Sequence, residues 1–154
     1  MTPEIAKKKA ELLAGGPVRI SPGFRLPFLP SKSTAGPGAG TTAVVFEFGG
    51  TRAKKQVSRD HGEYTLIEAD GRLEITRAGE VFLDQVGLVP TLLHAPYQAF
   101  VNIDQACVMD CKFCASPRLE DVLTKNLTDE KILAMIEEAS HRQGFQAVAF
   151  TSAV

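Results

Sequence analysis

Ala99-Phe100-Val101-Asn102-Ile103, followed closely by Cys107-Val108-Met109-Asp110-Cys111-Lys112-Phe113-Cys114, sets the expected fold class of the chain. The first five residues read as a short buried strand. The cysteine segment follows as a loop or the first turn of a helix, and Leu119 to Asn126 forms a connector. Thr128 then caps a helix, with Asp129 and Glu130 well placed in its first turn to meet the positive end of the helix dipole. Ile132, Leu133, Met135, Ile136 and Ala139 give that helix one apolar face, and Gly144 ends it. Phe145 to Thr151 is the next strand, apolar enough to be buried on both faces. Strand, cysteine loop, helix and strand make a βαβ unit, so the expected class is α/β with the start of a parallel sheet.

The chain has three cysteines, all within eight residues. An odd number cannot all enter disulfides. On a helix their offsets of four and three would share one face, which is how three buried core thiols would look. Asp110 and Lys112, beside the middle cysteine, argue for a polar setting and a metal site instead. A loop that leaves the end of a parallel strand is also where such sheets place their ligands. Structural zinc takes four closed ligands, and His94 stands before the triplet as a fourth, whereas His141 lies far along the following helix. An iron–sulfur cluster also takes thiolates; held by three, it keeps one iron open to a further ligand. The spacing leaves both metals open.

The segment resembles the signature of the radical S-adenosylmethionine superfamily, C-x3-C-x-aromatic-C, with Phe113 as the aromatic before the last cysteine. The resemblance covers residues 98–154. It implies the first strand, helix and strand of a partial (β/α) barrel of TIM type. It implies that Cys107, Cys111 and Cys114 hold a four-iron four-sulfur cluster whose open iron is chelated by S-adenosylmethionine, and that Phe113 packs near the adenine. The same resemblance places Thr151, Ser152 and Ala153 where the family has a small-residue motif, often Gly-Gly-Glu, that contacts the methionyl amino group. The carboxylate is missing here, leaving backbone carbonyls or the Ser152 hydroxyl as acceptors. The implied chemistry is reductive cleavage of S-adenosylmethionine to a 5′-deoxyadenosyl radical, which abstracts hydrogen from a substrate. An electron donor such as ferredoxin or flavodoxin is the implied partner. Phe150-Thr151-Ser152 is similar to the Thr-Ser ending in lipoyl-synthase-like and biotin-synthase-related members, which points to sulfur insertion, with methylation as the alternative reaction. Lipoyl synthases carry a second cysteine triplet before the signature, and no cysteine precedes Cys107 here.

Outside this region the chain divides by composition. Residues 1–16 read as a surface helix capped by Thr2, with Pro3 in its first turn, sparse apolar positions at Ile5, Leu12 and Leu13, and Gly15-Gly16-Pro17 as its stop. Residues 17–42 are rich in Pro, Gly and Ser and read as a flexible linker; the sharper reading is a loop that binds an anion through backbone amides. Residues 43–97 form a small β-rich region that, with the helix, gives an α+β N-terminal part. Ala43 to Phe48 is a strand stopped by Gly49-Gly50, and Asp70-Gly71 joins Tyr64–Ile67 to Leu73–Thr76 as a hairpin. Arg52, Lys54 and Lys55 read as a solvated strand face, and Gly79 to Val86 as a short helix.

Apolar residues make up 44% and charged residues 23% of the 154, with a formal charge of −1. That balance offers no global basic field for nucleic acid. The longest apolar runs are far short of the roughly 20 residues of a membrane span, and the start lacks a secretory stretch, so a cytoplasmic location is expected. A barrel takes about 250 residues, or roughly 31 per repeat, and residues 98–154 hold fewer than two repeats. The expectation is therefore a truncated chain that carries the cluster ligands but does not turn over alone. The competing reading is a non-catalytic module in which zinc or an iron–sulfur cluster staples the loop. A third is that the N-terminal part binds a substrate, leader peptide or protein partner.

Overall fold

The computed structural model describes residues 1–28, 30–33, 38, 40–93, 95, 97–104, 109–115 and 128–152. It divides into two compact units, Met1–Ser31 with Thr42–Thr91, and Lys32–Thr41 with Leu92–Val154. The class is α/β, with two helices and a preponderance of strands among the described residues.

The first unit opens with helix α1 (Pro3–Ala14), where the Thr2 hydroxyl accepts from the Ile5 amide at 3.3 Å. Strands β1 (Val18–Ile20), β2 (Ser31–Lys32), β3 (Thr42–Phe48), β4 (Thr51–Ser58), β5 (Tyr64–Ala69), β6 (Arg72–Arg77), β7 (Glu80–Leu83) and β8 (Gly87–Val89) build a mixed sheet. Its order is β2-β3-β4-β1-β5-β6-β7, with β8 also paired to β3. The expected hairpin forms around Asp70-Gly71, with Ala69 opposite Arg72, and Gly49-Gly50, read only as a strand stop, also turns a hairpin, with Phe48 opposite Thr51. All four turn residues have positive φ, as a two-residue hairpin turn needs.

Three expectations are corrected in this unit. First, Gly79 to Val86 is not a helix. Ala78-Gly79 forms another two-residue turn at φ 52° and 86°, and β7 returns along β6 with Arg77 opposite Glu80. The Val81-Phe82-Leu83 run is β-prone, and the turn delivers it straight to a free sheet edge.

Second, part of the supposed linker is a central strand. β1 lies between β4 and β5, parallel to both, with Val18 opposite Val57 and Tyr64. Val18 and Ile20 are buried while Arg19 between them faces out. The insertion depends on Gly62, because a Cβ there would sit 2.5 Å from the Pro17 carbonyl oxygen and 2.6 Å from the Arg19 nitrogen.

Third, Arg52, Lys54 and Lys55 do not share one solvated face. Alternation along β4 turns Lys55 to the side opposite Arg52 and Lys54. Arg52 pairs with Glu47 at 2.5 Å, and Lys54 is exposed. Lys55 is buried, and its ammonium donates to the carbonyls of Gly15 at 2.5 Å and Leu13 at 3.2 Å. It thus satisfies carbonyls at the negative end of α1, a position that favours a cation. Burial lowers the Lys55 pKa, and the Glu63 carboxylate partly opposes that.

Leu12, Val18, Ile20, Val44, Phe46, Tyr64, Leu66 and Ile75 are core members between α1 and the sheet. Arg77 lies 5.5 Å from the centre of the Tyr64 ring and pairs with Glu63 at 2.5 Å and Glu11 at 3.4 Å, tying β6 to α1.

The second unit carries the decisive stretch. A short 3-10 turn (Thr91–Leu93) precedes β9 (Gln98–Asp104), and α2 (Asp129–Ser140) precedes β10 (Ala147–Ser152). β9 and β10 pair in parallel, which is the expected strand–helix–strand order. Thr128 caps α2 by accepting from the Lys131 amide at 3.4 Å. The helix ends at Ser140, and the turn through His141 to Gly144 completes the stop. Ala99, Leu93 and Ala139 form the local core, with Leu92 and Phe145 against it. Leu133 departs from the expected apolar face, being exposed. β10 is also less buried than its composition suggested, with Phe150 58% exposed. Its one described sheet neighbour is β9, and α2 contacts β9, so much of β10 keeps an open side. The described part of the sheet in this unit has two strands; it does not extend to a barrel.

Candidate metal centre

The cysteine segment follows β9 in sequence, and β10 ends level with β9 in the parallel ladder. The parallel register sets Thr151 opposite Asn102 and Ser152 opposite Asp104, with an irregularity between Thr151 and Ser152. The C-terminal edge of a parallel strand pair is where open α/β sheets bind ligands, because the strand ends deliver their loops to the same place. The parallel register thus brings residues 102–104 to the same sheet edge as residues 151–152, nearly fifty positions away in sequence.

Within the cysteine segment, Cys111 to Cys114 forms a turn. The Cys114 amide donates to the Cys111 carbonyl oxygen at 3.0 Å, with Lys112 and Phe113 at the two corners. A turn closed in this way holds its outer Cα atoms within about 7 Å. Both cysteines are thiols, Cys111 exposed and Cys114 half-buried. Phe113 is 71% exposed and Met109 is exposed too. Asp110 and Lys112 are exposed beside them.

Thr151 is exposed at the end of β10, and its hydroxyl donates to the Val101 carbonyl oxygen at 3.4 Å. Cys107 and Ala153, expected as metal ligand and cofactor contact, lie outside the described residues, as does His94. Of the expected site residues, the structure therefore brings Cys111, Phe113 and Cys114 onto one turn and sets Thr151 and Ser152 at the end of β10, paired with the end of β9. Among the described residues no group of three His, Cys, Asp or Glu side chains gathers as a metal site. The described pair of thiols suits a soft-ligand group: two sulfur donors on one exposed turn, with the third cysteine of the motif four positions earlier.

Asp104 has no motif to mark it in the sequence, yet register places it level with Ser152. Its one sequence signal is that Asn102 and Asp104 alternate as polar residues after the apolar run Ala99-Phe100-Val101. The anion-loop reading of the Gly/Pro-rich stretch gains nothing from the described backbone. The amides of Ser33, Gly40 and Thr41 donate within the loop, to Thr41, Ser33 and Gly38.

Comparison of the chain with protein-family models, with curated proteins and with solved structures finds no match. Among the described residues no helix is long and apolar enough to cross a membrane.

Proposed function

We propose that residues 98–154 carry the cluster-binding part of a radical S-adenosylmethionine enzyme, with Cys107, Cys111 and Cys114 as ligands of a four-iron four-sulfur cluster. One observation carries this reading: a C-x3-C-x-F-C segment follows the first strand of a parallel βαβ unit, at the edge where the second strand ends in Thr151-Ser152. When bound, the cluster supplies the electron for reductive cleavage of S-adenosylmethionine.

The chain's own residues have separate tasks in this reading. The turn from Cys111 to Cys114 presents two thiolates together. Phe113 offers an exposed aromatic face to the adenine. Thr151 and Ser152, which end β10, and Ala153 after them in sequence would offer hydroxyls and backbone carbonyls to the amino group of the cofactor. A ferredoxin or flavodoxin is the proposed electron donor, and hydrogen abstraction the proposed reaction class, directed at sulfur insertion or methylation.

The test is reconstitution with iron and sulfide in the absence of oxygen. The wild-type chain is expected to take up iron and sulfide in equal amounts, turn brown and then bind S-adenosylmethionine by calorimetry. The Cys107→Ala/Cys111→Ala/Cys114→Ala variant is expected to take up neither. Equal cluster uptake by that variant would sink the reading. So would one equivalent of zinc with little iron in protein purified without oxygen, which is the outcome expected of a stapled interaction module.

A further inference from the structure

A backbone hydrogen bond holds Cys111 and Cys114 on one turn. The 3.0 Å hydrogen bond from the Cys114 amide to the Cys111 carbonyl closes the turn between them. Its span, within about 7 Å between Cα atoms, overlaps the roughly 4.4–6.8 Å from which a disulfide closes. Lys112 and Phe113, the intervening residues, are both exposed, so the turn can adjust without breaking a core contact. The two thiols also differ in access: Cys111 is exposed and Cys114 half-buried.

We infer that Cys111 and Cys114 are a reversible redox pair, which a low-molecular-weight disulfide of the glutathione class oxidises whenever the segment carries no metal. Cys111 is the entry point. Its sulfur attacks one sulfur of the small disulfide, forming a mixed disulfide and releasing one small thiol. The Cys114 sulfur then attacks the Cys111 sulfur and releases the second. Two protein thiols are oxidised to one disulfide, one small disulfide is reduced to two thiols, and the two protein protons pass to the departing thiolates.

The pair itself stands whether or not the proposed function holds. Its consequence rests on that reading: the closed disulfide removes two of the three thiolates, so oxidation blocks metal loading and reduction restores it.

The test uses the full chain with Cys107→Ala, stripped of metal by a chelator and incubated with oxidised glutathione. Both remaining thiols are expected to disappear together, with a loss of two hydrogens in the intact mass, and to return on reduction. Trypsin cleavage after Lys112 separates the two cysteines onto different peptides, which are expected to stay joined until reduced. The Cys107→Ala/Cys114→Ala chain, lacking the second sulfur, is expected to accumulate a glutathione adduct on Cys111.

Two results would overturn the inference. One is a lasting glutathione adduct on Cys111 in the Cys107→Ala chain. The other is a Cys107→Ala chain that stays reduced at oxidant levels that modify the double variant. Metal uptake by the reduced wild-type chain is scored separately. Failure there removes the cluster reading and leaves the disulfide standing, while failure of the disulfide leaves metal uptake intact.

Discussion

The ring of Tyr97 occupies the space that a side chain on Gly144 would need. A Cβ at Gly144 would lie 2.8 Å from both Cδ1 and Cε1 of that ring. Tyr97 itself is held at φ 65°, a backbone state bulky residues rarely adopt, and its carbonyl accepts from the Gln146 amide at 2.8 Å. The pair therefore sets how the turn after α2 feeds β10 into the parallel ladder beside β9. Gly144→Ala meets both the ring and a φ of 80°. It is expected to lower stability by about 1–3 kcal/mol. Introduced beside Tyr97→Gly, the same change should cost less, because the ring is gone. Urea unfolding of the four chains of that double-mutant cycle measures the coupling; a cycle with no coupling would contradict the contact.

Lys55 supplies a second stability test. Lys55→Met keeps the length and apolar stem but leaves the Gly15 and Leu13 carbonyls without its ammonium. The expected loss is about 1–3 kcal/mol. Lys54→Met, on the exposed face of the same strand, is expected to change the urea midpoint little, and equal effects of the two would argue against the buried assignment.

The cap of α2 predicts an acid sensitivity. A hydrogen bond from its own backbone amide, and then one from the Thr128 hydroxyl, hold the Glu130 carboxyl below its ordinary pKa. A carboxylate whose pKa is lowered on folding favours the folded state above its unfolded value. That contribution fades as pH falls through the unfolded value and then the folded one. The difference in stability between wild type and Glu130→Gln is expected to shrink between about pH 7 and about pH 3. A constant difference over that range would refute the assignment.

Phe113 separates cofactor binding from folding. It is 71% exposed, so Phe113→Ala should leave the thermal midpoint almost unchanged. On the proposed function, the same variant after anaerobic reconstitution should bind S-adenosylmethionine about tenfold more weakly, the equivalent of ~1.4 kcal/mol. Calorimetry reads this directly, and wild-type affinity would remove Phe113 from the adenine contact.

Local chemistry made some of this molecule readable from its residues alone. Thr2 and Thr128 cap helices because their hydroxyls serve amides three positions on. Asp70-Gly71 makes a hairpin and Gly49-Gly50 stops a strand because those pairs accept positive φ. The cysteine spacing marks the candidate centre without any reference to partners elsewhere in the chain.

Tertiary structure decided what depends on partners distant in sequence. The propensity of Val18-Arg19-Ile20 does not encode its place between β4 and β5; the gap at Gly62 and two parallel neighbours supply it. Neither does the charge on Lys55 reveal that it ends α1; alternation along β4, with the helix packed on that side, turns it inward. Thr151 and Ser152 reach the edge where β9 ends only through the parallel β9–β10 register. The residues themselves determined which groups can do chemistry, since turn and thiol chemistry act over a few positions. The folded chain determined which of those groups meet, since strand pairing and burial are settled by contacts between segments that the sequence keeps far apart.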